Sequence, residues 1–84
     1  MVLTALKSDD VVLCQITSQS KSDTYSIPLE SADFTSGGLN QSSKIRPNRL
    51  FTADEEIVRY RAGHVSDAKL NEAVDRLIAI LKRP

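Results

Sequence analysis

An apolar stretch that turns polar over its last residues, Val11-Val12-Leu13-Cys14-Gln15-Ile16-Thr17-Ser18-Gln19, organises the chain. Read as a strand, it places Val12, Cys14 and Ile16 on one face and Val11, Leu13, Gln15 and Thr17 on the other, because side chains alternate with a period of two. The first face is core along its length, whereas the second starts as core and ends in polar groups. A strand that carries Gln15, Thr17 and Gln19 to the rim of a sheet can fix a small polar site on a rigid element. The plainer alternative, that Thr17 only ends the strand, stays open on these residues alone.

The same patterning predicts the remaining elements. Met1 to Leu6 reads as a strand that pairs antiparallel with 11–16 across the polar turn Lys7-Ser8-Asp9-Asp10. Thr24 to Leu29 alternates, with Tyr25, Ile27 and Leu29 toward the core, and Pro28 assigns this strand to an edge because it has no ladder donor. Glu30 to Ser42 reads as a loop with Phe34 and Leu39 as anchors. Ser43 to Arg46 is a short strand that Pro47-Asn48 interrupts and Arg49-Leu50-Phe51 resumes. Thr52-Ala53-Asp54-Glu55 has the spacing of a capping box, so a helical or 3₁₀ turn is expected there. Ile57 to Ala62 reads as a last half-buried strand ended by Gly63-His64. Ser66 is a suitable N-cap for a helix in which Leu70, Ala73, Val74, Leu77, Ile78, Ile80 and Leu81 recur at helical spacing up to Lys82, an apolar stripe suited to covering the sheet. The order predicts a mainly β domain closed by a C-terminal helix.

With 84 residues, 40% of them apolar and no Trp, the chain is sized for one small globular domain with a thin core. Eleven basic residues balance eleven acidic ones, so net charge does not argue for a nucleic-acid partner. Distribution does. Lys44, Arg46 and Arg49 lie in a segment from Leu39 to Thr52 without Asp or Glu, and Arg59 and Arg61 follow. The lone Cys14 cannot form an internal disulfide, which fits a reducing compartment, and no segment is long and apolar enough to span a bilayer; cytoplasm is therefore expected. One His and one Cys make no recognisable zinc or thiol–histidine site, and Gly37-Gly38 does not continue into a phosphate loop. What remains is the Thr17 rim and the basic segment. RNA can be cleaved by attack of its own 2′-hydroxyl, which needs a base, an acid and donors for the phosphorane charge but no metal. Thr17 is suited to donate to a phosphate, and an Arg to supply charge.

The run at 11–19, followed by Tyr25-Ser26-Ile27-Pro28-Leu29, Gly37-Gly38-Leu39, the segment Ser43-Lys44-Ile45-Arg46-Pro47-Asn48-Arg49-Leu50-Phe51-Thr52 and the helix start Gly63-His64-Val65-Ser66-Asp67, resembles the PemK/MazF family of toxins. The resemblance keeps one order over nearly the whole chain. It implies an SH3-like barrel with a C-terminal helix, a homodimer, and cofactor-free cleavage of single-stranded RNA held in check by a partner antitoxin. By position it implies a catalytic role for Thr17 in stabilising the scissile phosphate, with Gln15, Ser18, Gln19, Lys44, Arg46 and Arg49 expected to contact RNA. The family's catalytic Arg belongs to an Arg-Pro pair just before the strand that Met1 to Thr4 matches. Residues 1–84 are thus expected to form a single domain lacking the first strand, its loop and that Arg. Some relatives carry an Asp in the strand matching 43–47, where no acid stands here. A second reading follows: a truncated, catalytically silent member that only binds the antitoxin or a full-length protomer. A third, the related gyrase-poisoning toxins, is disfavoured because those act through a Trp-containing C-terminus.

Overall fold

The computed structural model of the chain describes residues 1–19, 24–58 and 62–83. Strand β1 (Val2–Ala5) and strand β2 (Asp10–Thr17) form the expected antiparallel hairpin, tied at its turn by the Leu6 amide donating to the Asp10 carbonyl at 2.9 Å. Strand β3 is Ile27–Leu29, β4 is Phe34–Gly37, β5 is Ser43–Asp54 and β6 is Gly63–Val65, and helix α1 runs Asp67–Leu81. The order in the main sheet is β1-β2-β5-β3, all antiparallel where they pair, and this sheet curls into a half-barrel; β4 and β6 form a separate two-stranded ribbon. The architecture is mainly β with a C-terminal helix.

The core lies between the concave side of the main sheet and α1. Cys14, Ile27, Leu29, Ile45 and Ala73 are buried together, with Met1, Leu3, Ile16, Phe34 and Val65 packed around them. Ile45 is at the centre, opposite Ile16 on one side and Ile27 on the other. The one fully buried helix position is Ala73, whose small side chain lets the helix backbone approach the sheet. Ser66 caps the helix as expected, its hydroxyl accepting from the Lys69 amide at 3.2 Å. Pro28 lies on an edge strand as expected. Its carbonyl accepts from Lys69 Nζ at 3.1 Å, and Lys69 also bonds Glu72 at 2.9 Å.

Several elements depart from the sequence-based expectation. The third strand is shorter than Thr24–Leu29, with Tyr25 half-buried in a preceding turn. Within the presumed loop 30–42 stand a 3₁₀ turn, Ser31–Asp33, and β4, while Leu39 is exposed and anchors nothing. The β4–β6 ribbon has one apolar pair, Phe34 opposite Val65, and at Gly37 and Gly63 rests on close backbone approach, so alternation could not reveal it. Strand β5 runs unbroken through Pro47 because the chain bulges there: Arg46 lies opposite Gln15 and Leu50 opposite Cys14, leaving residues 47–49 without partners on β2. The 3₁₀ turn Glu55–Ile57 occurs where expected, but its cap is Asp54, which accepts from the Glu56 amide at 2.9 Å, rather than Thr52. Ile57 belongs to this turn instead of a strand, and His64, expected to end a strand and pack before the helix, is exposed within β6. The centre of the strand expected over 57–62 lies outside the described residues. No helix among the described residues is long and apolar enough to cross a membrane.

Candidate functional site

The pleat of β2 and β5 builds the site. Thr17 stands opposite Lys44 and Gln15 opposite Arg46, with the Ile16–Ile45 row between them. Ile45 is fully buried in the core, so the two flanking rows belong to the opposite, outward face. Pro28, opposite Lys44 on the other side, carries the first row onto β3. The sheet thus presents one hydroxyl, one amide and two cations on a common surface, with the side chains of Thr17, Lys44 and Arg46 half-buried and that of Gln15 exposed.

Local hydrogen bonds orient these groups. Thr17 Oγ1 accepts from the Gln19 amide at 3.2 Å, a turn that leaves the hydroxyl proton to be donated elsewhere. Lys44 Nζ donates to the Gln19 carbonyl at 3.5 Å. Arg46 Nη1 donates to Gln15 Oε1 at 3.2 Å, so the amide holds one edge of the guanidinium. Gln15, Thr17, Gln19, Lys44 and Arg46 therefore come together, Gln19 through its backbone. Ser18 lies just past the strand, exposed, and Arg49 lies in the bulge, exposed; neither side chain makes a hydrogen bond among the described residues. Arg59 and Arg61, the further basic residues of the sequence reading, fall outside the described residues.

Charge is polarised along the sheet. Lys44 and Arg46 occupy one end, while at the other Asp10 pairs with Asp54 and the Glu55 amide donates to the Asp9 carbonyl at 2.9 Å. An anion meets opposite fields at the two ends, and the Thr17 end attracts it.

The whole ordered arrangement, residues 2–81, matches the PemK-like, MazF-like toxins of type II toxin–antitoxin systems. The chain belongs to that family. No curated protein matches it. In this PemK-like chain the matched span runs from β1 through the last turn of α1 and so includes every element that builds the Thr17 face.

One part of the surroundings escaped the sequence reading. The turn before β3 is held by the helix and the residues just after it: Arg76 Nη1 donates to the Tyr25 carbonyl at 3.3 Å, and Arg83 bonds the Tyr25 hydroxyl with its guanidinium 6.0 Å from the ring centroid. These contacts join residues 51 and 58 positions apart, and no local pattern signals such a pairing. Two titrating groups support the frame rather than the site. Burial pushes the Cys14 thiol up, more than the nearby Met1 amine lowers it. The hydrogen bond to Glu72 raises the Lys69 ammonium, outweighing its partial burial, with the charges of Glu72 and Asp33 adding to the rise.

Proposed function

We propose that this toxin cleaves single-stranded RNA, without a metal, on the outward face of β2 and β5. The observation that carries the reading is the pair of rows Thr17–Lys44 and Gln15–Arg46, which sets a hydroxyl and two cations side by side on a rigid sheet. In the reaction the 2′-oxygen bonds to phosphorus as the bond from phosphorus to the 5′-oxygen breaks. The 2′ proton passes to a base and the leaving oxygen takes up a proton. Negative charge grows on the non-bridging oxygens, and donors fixed beforehand are most effective there. The Thr17 hydroxyl donates to one such oxygen, and Lys44 and Arg46 supply positive charge, Arg46 being oriented by Gln15. Ser18, Gln19 and Arg49 extend the contact along the strand of RNA. An open face suits unpaired nucleotides, whose backbone a basic surface can follow.

Family membership implies a cognate antitoxin, and the reading places the pair in the cytoplasm. A second copy of the chain completes the assembly as a homodimer. Support comes from the apolar row Val2–Leu13–Phe51 across β1, β2 and β5, in which Val2 is 44% and Phe51 50% exposed.

The test is cleavage of a labelled single-stranded RNA in excess chelator by the chain and by Thr17→Ala purified identically. Loss of one fixed donor should slow cleavage about 10²- to 10³-fold. Equal rates would trace the activity to a contaminant and overturn the assignment. No cleavage at any protein concentration would leave antitoxin capture as the function of this chain.

A further inference from the structure

Strand β3 completes the Thr17–Lys44–Pro28 row, yet the sheet gives it little support. It has three residues and, among the described residues, pairs only with β5. Pro28 has no amide hydrogen and its carbonyl goes to the helix, so Ile27 and Leu29 alone carry the ladder. Their side chains, each 1% exposed, anchor the strand from the core.

Helix α1 supplies the outer side. Lys69 Nζ donates to the Pro28 carbonyl at 3.1 Å and Arg76 Nη1 to the Tyr25 carbonyl at 3.3 Å. Seven residues separate the two cations, which places them on one helix face with a rise of about 10 Å between them. Three residues separate Tyr25 from Pro28, a reach of at most about 11 Å. One helix face therefore meets both carbonyls, running antiparallel to the strand. Arg83, seven residues further on, bonds the Tyr25 hydroxyl. The Lys69 ammonium is itself braced, with Glu72 at 2.9 Å and Asp33 at 3.7 Å, and its side chain is only 13% exposed.

We infer that Lys69 and Arg76 are positioning residues: they clip β3 against β5 from the helix side and, through Pro28, keep Lys44 fixed for the phosphate held at Thr17. The inference rests on the RNA-cleaving reading and adds to it what immobilises one of its cations. In their row Thr17 and Pro28 stand on the two sides of Lys44, at the separation where cross-strand side chains touch. With the clip gone, β3 frays, Pro28 withdraws and the lysine stem regains rotamers. A freed Lys44 still attracts the phosphate but is no longer placed in advance for the charge that grows in the reaction.

The experiment compares the chain with Lys69→Met, Lys69→Arg and Arg76→Met, each established as folded by circular dichroism. Hydrogen exchange at the amides of β3 should quicken in both methionine variants, a readout that needs no RNA. On a labelled single-stranded RNA, Lys69→Met should lower kcat about tenfold while changing KM far less, within what an ångström of misplacement costs. Lys69→Arg, which keeps a donor, should recover most of the rate. In a Lys44→Met background, Lys69→Met should slow cleavage no further, because its effect passes through Lys44. Unchanged exchange in both methionine variants, or a loss of rate that persists in full without Lys44, would overturn the positioning role while leaving RNA cleavage intact. Absence of cleavage by the unsubstituted chain would remove the parent reading and this one with it.

Discussion

Alanine in place of Gly63 or Gly37 probes the ribbon that fixes the start of the helix. A Cβ on Gly63 would stand 2.5 Å from the Ser36 oxygen and 2.7 Å from the Gly38 nitrogen, both backbone atoms that cannot swing aside. Strands β4 and β6 must then part by most of an ångström, an overpacking cost of about 1–3 kcal/mol. A less flexible unfolded chain returns about 0.4–1 kcal/mol, so the net loss is about 1–2 kcal/mol. At Gly37 the Cβ would meet the Ala62 oxygen at 2.3 Å, and φ is +64°, left-handed backbone that adds about 1–2 kcal/mol for an L side chain. Gly37→Ala should therefore lose about 2–4 kcal/mol. A fold of 84 residues holds about 4–13 kcal/mol in all, which makes either loss easy to measure. Urea melts should rank the unsubstituted chain above Gly63→Ala and that above Gly37→Ala, with Tm falling about 4–8 °C per kcal/mol. The damage should reach the helix cap through the Ser66 amide, which donates to the Asp33 carbonyl at 2.7 Å, and hydrogen exchange at Ser66 should quicken in both variants. Two variants within 0.5 kcal/mol of the unsubstituted chain, or the reverse order, would refute the claim that backbone contact holds the ribbon.

Two further outcomes follow from the frame and the surface. Cys14 and Lys69 both have raised folded-state pKa values, so the fold holds protons that the unfolded chain gives up. Their stabilisation is complete below the unfolded values, about 8.5 for a thiol and 10.4 for a lysine, and is lost as pH climbs through the folded ones. The Met1 amine, lowered by burial, acts in the opposite sense and only below its ordinary 8.0. Urea midpoints measured from pH 8.5 to 11 should fall steadily; a flat or rising curve sinks the argument. In solution the chain should sediment at twice 9.3 kDa, and Phe51→Lys should shift it toward the single mass. A monomer at every concentration would dispose of the homodimer.

The elements legible in the sequence are those whose signal is local. The β1–β2 hairpin, the Ser66 cap with its periodic helix and the edge placement of Pro28 each rest on residues within a few positions of one another. Alternation along 11–17 also put Gln15 and Thr17 on one face, opposite the buried Cys14. The partners were not legible. That Lys44 meets Thr17 and Arg46 meets Gln15 depends on register between strands about thirty residues apart, and that register contains a three-residue slip that no alternation rule anticipates. Pro47 looked like a break because proline cannot serve a ladder, yet in a bulge no ladder asks it to. The β4–β6 ribbon, built partly from Thr35, Ser36 and Gly37, has no apolar period to detect.

Lys69 also decides how this sheet can grow. At Pro28 the β3 edge has no amide hydrogen to donate and its carbonyl is already taken by Lys69, so an incoming strand finds neither partner there. At the opposite margin β1 pairs only with β2 among the described residues. A sheet sealed along one side can be lengthened only along the other. Two such sheets joined through their open margins leave a sealed one at each end, so edge pairing between copies stops at two and does not propagate into a fibre.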